Sequence, residues 1–218
     1  MRSPGPAFNL RAALSQELRA AAEELDKPNA KPKAIHRARV RLKRARALAR
    51  VGRACAPGLA KVFNDSARTV MRALADARDL AALAESARKT AAHATKREAS
   101  ALAAIAAGID AERLALGAPE LDGVRAGLRD LIALAQVWPD ASERQIARGA
   151  RRLVRRARSA QKRAVDAHNP ERRHQWRKRE KDRLFAASLL GHAWPARRRR
   201  KLGEKLGDVL GDERDPLL

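Results

Sequence analysis

Apolar and small residues recur at three- and four-residue intervals along most of this chain, and proline and glycine divide the pattern into helical segments. A first helix is predicted over residues 9–25, stopping before Pro28. A second, over 33–54, starts after Pro32 and ends before Pro57-Gly58. A third covers 59–74. The acidic stretch from Asp76 to Asp79 is expected to interrupt it, with Asp79 capping a fourth helix that runs to about His93. Residues 100–116 either continue that helix or form another, ending at Gly117-Ala118-Pro119. Beyond that point the plan repeats. A helix over 120–137 stops before Pro139, Ser142 caps a long basic helix to about Ala167, and Asn169-Pro170 opens the next. Pro195 begins a last helix that reaches Leu210.

Two patterns repeat at nearly the same offset. His-x-x-Arg-x-Arg-x-Lys occurs as His36-Arg39-Arg41-Lys43 and again, 138 residues later, as His174-Arg177-Arg179-Lys181. Leu74-Ala75-Asp76-Ala77-Arg78-Asp79 is echoed 136 residues later by Leu210-Gly211-Asp212-Glu213-Arg214-Asp215. Unrelated patterns repeated at nearly equal offsets indicate a duplicated helical unit that presents one cationic site twice. The expected organisation is one domain over 1–218, with halves at about 8–117 and 119–218. No helix has room to follow Asp215, so the second half reads as shortened at its C-terminus.

Composition supports the helical assignment. Alanine, leucine, arginine and glutamate dominate, while aromatic residues make up 3%. An all-α fold follows. The formal net charge of +23 opposes compaction unless anions neutralise it. The charge is also segregated: no acidic residue lies between Asp26 and Asp65, whereas Ala101 to Glu143 is net acidic. Cation is concentrated in the regions that hold the two octapeptides. The single cysteine, Cys55, excludes an internal disulfide and is expected to pack as a small apolar residue. The N-terminal residues lack a signal-peptide core and no stretch is long enough to cross a bilayer, so a cytoplasmic setting without membrane contact is expected.

In the second helix, Ile35, Ala38, Leu42, Ala45 and Ala49 form an apolar stripe. At 100° per residue, His36, Arg39, Lys43, Arg46 and Arg50 fall within about 80° of one another beside it. Arg37, Arg41 and Arg44 lie on another flank. Like charges one turn apart repel, so a ridge of this kind is understandable if an anion lies against it. His174, Arg177, Lys178 and Lys181 make a similar sector about 100° wide, bordered by Asp182, which is suited to orienting a neighbouring cation. Arginine donates two parallel hydrogen bonds to phosphate, lysine adds a mobile charge, and histidine becomes cationic beside an anion. His93, His168 and His192 have no echo and read as surface residues. A basic ridge is often only a solvated face; the duplicated spacing favours a ligand here.

These residues resemble the conserved histidine α-helical domain, the CHAD family. The first octapeptide is similar to the family's His-x-x-Arg-Val-x-x-Arg-Arg-x-Arg helix, at His36, Arg39, Val40, Lys43, Arg44 and Arg46. The segment from His174 to Asp182 resembles its second histidine helix, as do Trp194-Pro195 and the segment from Leu206 to Asp215. The resemblance spans about residues 8–218. It implies two four-helix-bundle halves around a basic central pore that binds inorganic polyphosphate, often at polyphosphate granules. Glu180 stands where the family usually has an apolar residue, and Phe185 where tyrosine is common. No Glu-x-Glu-x-Lys motif of the triphosphate-tunnel domain found in some relatives is present.

The resulting expectation is a polyphosphate-binding protein without catalytic activity or cofactor. Its candidate ligand residues are His36, Arg39, Lys43, Arg44, Arg46, Arg50, His174, Arg177, Lys178 and Lys181. Catalysis would need a positioned nucleophile, a base or a metal-holding carboxylate set. Asp76, Asp79, Asp212, Glu213 and Asp215 could hold a divalent cation, but helix capping and arginine pairing are the expected roles. No metal site is expected. Nucleic acid is the alternative polyanion, because arginine-rich helices attract any phosphate backbone. Base stacking usually employs exposed aromatics, and Trp138, Trp176 and Trp194 sit at helix ends or apolar positions. A scaffold that brings partners to granules is compatible with polyphosphate binding. The oligomeric state is not legible.

Overall fold

The computed structural model describes residues 8–26, 32–115, 121–165 and 169–195, with positions 203, 205, 206 and 209; at 75–79, 81 and 82 it describes backbone only. Among the described residues seven α-helices can be bounded, in order: α1 Leu10–Leu25, α2 Pro32–Gly52, α3 Pro57–Ala91, α4 Lys96–Ala115, α5 Asp122–Gln136, α6 Glu143–Val165 and α7 Pro170–Leu190. A 3₁₀ turn at Gly191–Ala193 follows. Gly203, Lys205, Leu206 and Val209 are also helical, and Gly203 lies against Leu184 of α7. The described residues contain no strand. The fold is all-α.

Several boundaries are set by local chemistry that the sequence displays. Asn9 Oδ1 accepts from the Ala12 amide at 2.8 Å and starts α1. Ser142 and Gln145 form a reciprocal capping box at the head of α6: the Ser142 amide donates to Gln145 Oε1 at 2.9 Å, and the Gln145 amide donates to Ser142 Oγ at 3.3 Å. Asn169 Oδ1 accepts from the Glu171 and Arg172 amides at 2.9 and 3.3 Å, and Pro170 follows at the first helical position.

One expected boundary is absent. Residues 76–79 do not interrupt the chain, because α3 runs unbroken from Pro57 to Ala91. The physical reason is that Leu-Ala-Asp-Ala-Arg-Asp contains neither glycine nor proline. An interior aspartate weakens a helix by only a few tenths of a kcal/mol (about 0.7 at most), and its alanine, leucine and arginine neighbours favour it. Position 79 therefore lies inside α3 and does not start a helix. The next helix, α4, starts instead at a box in which Thr95 donates from its amide and hydroxyl to Glu98 Oε2 at 3.0 and 2.6 Å. The second copy of the acidic pattern, 210–215, lies outside the described residues.

The core is organised around α2, which packs against α1, α3, α6 and α7. Its expected stripe of Ile35, Ala38, Leu42, Ala45 and Ala49 is buried, and Ala47, Leu48 and Val51 are buried beside it. Opposite stand Leu14, Leu18, Ala21 and Leu25 of α1 and Phe63, Ala67 and Leu74 of α3. Trp138 is fully buried, edge-on to Phe63 with ring centroids 5.8 Å apart. Trp194 is buried and Trp176 half-buried, while Cys55 is half-buried against the core with its thiol donating to the Gly52 carbonyl. Small residues on α2 let its neighbours approach closely. The tightest approach is α6 on α2, at Gly149 and Val51. A Cβ at Gly149 would overlap the Val51 carbonyl oxygen, with Val51 C and Cα 2.8 and 2.9 Å away.

This contact is backbone against side-chain position, so no rotamer change relieves it. Gly149→Ala is expected to separate α6 from α2 and lower unfolding stability by about 3 kcal/mol, the upper end of ordinary overpacking. Gly123→Ala, where nothing stands within 4 Å of the added carbon, should be neutral or slightly stabilising. Urea denaturation midpoints of the two variants check the contrast.

Candidate functional site

The cations of α2 divide into two sets that face different neighbours. Toward α1, Arg37 Nε donates to Glu24 Oε1 at 2.7 Å. Arg41 and Arg44 share Glu17, at 3.3 and 2.9 Å. The Glu17 side chain is only 5% exposed, and two guanidinia are what make its burial tolerable. These three arginines are the flank that helical geometry separates from the His36 ridge. Arg44, a candidate ligand residue, is thus directed at α1 and stands apart from the other candidates.

The other set meets α3, α6 and α7. Arg50 Nη1 donates to Asp182 Oδ1 of α7 at 2.8 Å, with both side chains largely buried at 18% and 17% exposure. Arg179, one turn before Asp182, reaches its Oδ2 at 3.6 Å. Asp182 also acts electrostatically on Arg46 of α2 and Arg156 of α6. One carboxylate therefore serves four guanidinia from three helices. Burial, followed by the nearby Arg50 charge, pushes Arg46 down to about 10, with Asp182 opposing. Burial likewise depresses Arg50, where Asp182 opposes and Arg179 and Arg68 add to the depression. Arg156 is depressed by burial and then by Arg179 and Arg50.

The sign of these shifts matters. A base held more weakly in the folded chain than in the unfolded one works against folding wherever it is charged. For Arg46 that means everywhere below about pH 10, and stability recovers only as pH rises beyond that value. At neutral pH the cluster thus carries a desolvation cost, with repulsion between guanidinia added to it, that an added anion would offset. The Nε of Arg46 is buried with no hydrogen-bond acceptor among the described residues, although its Nη1 lies 3.3 Å from Met71 Sδ. A polar atom in that state is a donor in search of an acceptor.

The remaining candidates lie along the same two helices, which pack against each other. Arg39 donates from Nη1 to the Met71 carbonyl at 3.1 Å, and Arg39 and Lys43 are half-buried. His36 is exposed near the start of α2. On α7, His174, Arg177 and Lys181 are half-buried and Lys178 is exposed. Glu180, where the resemblance leads one to expect an apolar residue, is buried and held by Arg183, whose Nε lies 2.9 and 3.0 Å from its two oxygens. Helical-wheel reasoning missed Arg156, Arg179 and Arg68. Arg179 belongs to the second octapeptide but sits outside the His174 sector, and its i, i+3 relation to Asp182 signals its partner. Arg156 falls on the side of α6 between its buried and outer faces, a position that no pattern within one helix reveals. The His93 and His192 side chains are exposed as expected, whereas His168, the side chains of Asp76 and Asp79, and residues 212–215 lie outside what is described.

Among known families, the CHAD domain matches this sequence over residues 10–216. No curated protein and no solved structure matches it.

Two substitutions separate the roles of carboxylate and cation. Arg46→Met removes a buried charge and keeps an unbranched apolar stem, so stability should hold or rise by about 1 kcal/mol. Asp182→Asn strips Arg50 and Arg179 of their common counter-ion and should lower stability by about 3 kcal/mol. Thermal unfolding in low-phosphate buffer reads both. A loss of stability in Arg46→Met would show that this guanidinium is held by the fold rather than in spite of it.

Proposed function

The chain belongs to the CHAD domain family, and from that premise we propose that it binds inorganic polyphosphate where the two histidine helices, α2 and α7, meet. The observation that carries this reading is the excess of buried and half-buried guanidinium over carboxylate there: Arg46, Arg50, Arg156 and Arg179 gather around Asp182, with Asp65 acting on Arg46 as well. A polymer of phosphates can take up the charge that Asp182 leaves unbalanced, and arginine forks suit its oxygens. Arg39, Lys43, Arg177 and Lys181 extend the track along the two helices, with His36, His174 and Lys178 beside them. Arg44 is assigned to the α1 contact instead.

In this reading the duplicated motifs come from two related halves, about 8–117 and 119–218, that together enclose a basic passage. The protein acts as a binder. A guanidinium that stays charged below about pH 10 can hold a phosphate but cannot serve as the base that attack on it would require. No described helix is long and apolar enough to cross a membrane. Residence at cytoplasmic polyphosphate granules follows from the ligand.

Binding should strengthen with polymer length, because linked phosphates raise one another's effective concentration. It should weaken steeply with salt. In competition at about 150 mM salt, where exposed charges are screened beyond roughly 8 Å, long-chain polyphosphate is expected to displace duplex DNA. Preference for DNA would replace this reading with nucleic-acid binding. Joint reversal of Arg39→Glu and Arg177→Glu should weaken polyphosphate binding by at least about tenfold, the equivalent of one charge-assisted contact, with helical circular dichroism unchanged.

A further inference from the structure

The interhelical cluster leaves largely unused α6, which carries more lysine and arginine than any other described helix. Helix α6 buries Ile146, Gly149, Ala150, Leu153, Ala157, Ala160 and Ala164, and it packs against α2 and α7. On the opposite side stand Arg144, Arg148, Arg151, Arg155, Arg158 and Lys162, all exposed. At 100° per residue these six fall within about 80°, in a straight row roughly 27 Å long. The row is centred about 180° from the buried face, so it points away from α2, α7 and the Asp182 cluster. It is a separate surface.

Its electrostatics differ from those of α2. The α1-facing arginines of α2 each sit on a carboxylate, Glu24 or Glu17. The six ridge residues make no ion pair among the described residues, and α6 carries no acidic residue after Glu143. Six like charges on one helix face weaken the helix unless an anion neutralises them.

The shape of the row selects among polyanions. A helix lying in a major groove about 12 Å wide needs cations on both flanks to reach the two strands; this row would face the groove floor. Single-stranded nucleic acid is usually gripped by stacking on aromatic rings, and α6 has none. A membrane-surface helix places Trp, Phe or Leu in the lipid, whereas the exposed positions of α6 are glutamate, arginine, lysine, serine and glutamine apart from Val165. A flexible single line of phosphates can follow the row throughout.

We propose that the outer ridge of α6 is a second track for an extended phosphate polymer, so that one protein molecule engages two polymer segments and links them. The ligand class rests on the function proposed above; the location of the ridge does not. Two tracks facing different directions cannot both be filled by one short chain, and long chains become cross-linked through the protein.

The test compares wild type, the ridge variant Arg148→Gln/Arg151→Gln/Arg155→Gln/Arg158→Gln, and the Arg39→Glu/Arg177→Glu variant. Each is titrated with long-chain polyphosphate while light scattering and binding are measured together, with circular dichroism as the check on folding. The ridge variant is expected to keep the tightest binding step within about threefold and to lose cross-linking, seen as scattering, by about tenfold or more. The Arg39/Arg177 variant should keep a weaker, salt-sensitive binding step that disappears when both sets are combined. Scattering equal to wild type in the ridge variant overturns the proposal. So does loss of duplex DNA binding with polyphosphate cross-linking intact, which would assign the ridge to nucleic acid. A wild type that binds no polyphosphate fails the proposed function itself, a result distinguishable from the other two.

Discussion

Burial of guanidinia beside one another, where they cannot move apart, is the constraint on which this molecule turns. Helix α2 is hemmed in on four sides, and its arginines must go where its neighbours allow. Toward α1 each meets a carboxylate. Toward α7 and α6 they meet mostly one another, and Asp182 is the carboxylate they have in common. Burial makes the imbalance consequential, because desolvated like charges are screened far less than exposed ones. The same arrangement that makes α2 the core of the fold therefore makes its α7-facing side a place where anions are wanted.

The apolar half of this design was legible from spacing alone. The five stripe residues of α2 are all buried, and the angular separation of Arg37, Arg41 and Arg44 from Arg46 and Arg50 matches the division between pairs with α1 and the cluster with α7. Helix starts at Asn9, Ser142 and Asn169 were legible because a cap is a local device. Two kinds of feature were not. An aspartate is ambiguous between cap and helix interior, so the segment around Asp76 read as a break although nothing in it forbids continuation. Contacts between helices distant in sequence, such as Arg156 joining Arg50 and Arg179, depend on crossing geometry that no single helix encodes.

That crossing geometry is itself traceable to small residues. Gly149 brings the α6 backbone onto Val51, and Gly52 receives Leu10 and the Trp138 ring, where an added carbon would lie 2.7 Å from each. Bulkier residues would hold α6 away from α2 and keep Arg156 away from Arg50. The charge cluster is thus a product of close helix packing, and only secondarily of how many arginines the sequence holds.

The unbroken α3 has a different kind of result. Its first half, through Leu74, is sealed by α2 and α5, whereas its second half is paired with α4, whose sole buried residue is Ala106. Among the described side chains of that hairpin only Ala84 and Ala106 are buried, so its amide protons should trade with solvent through partial opening events far easier than global unfolding. Such excursions run outward along the rod of α3 and need not disturb α2 or α7. Sequence drift and insertions can accumulate at the 92–95 turn, while the four-sided centre stays rigid.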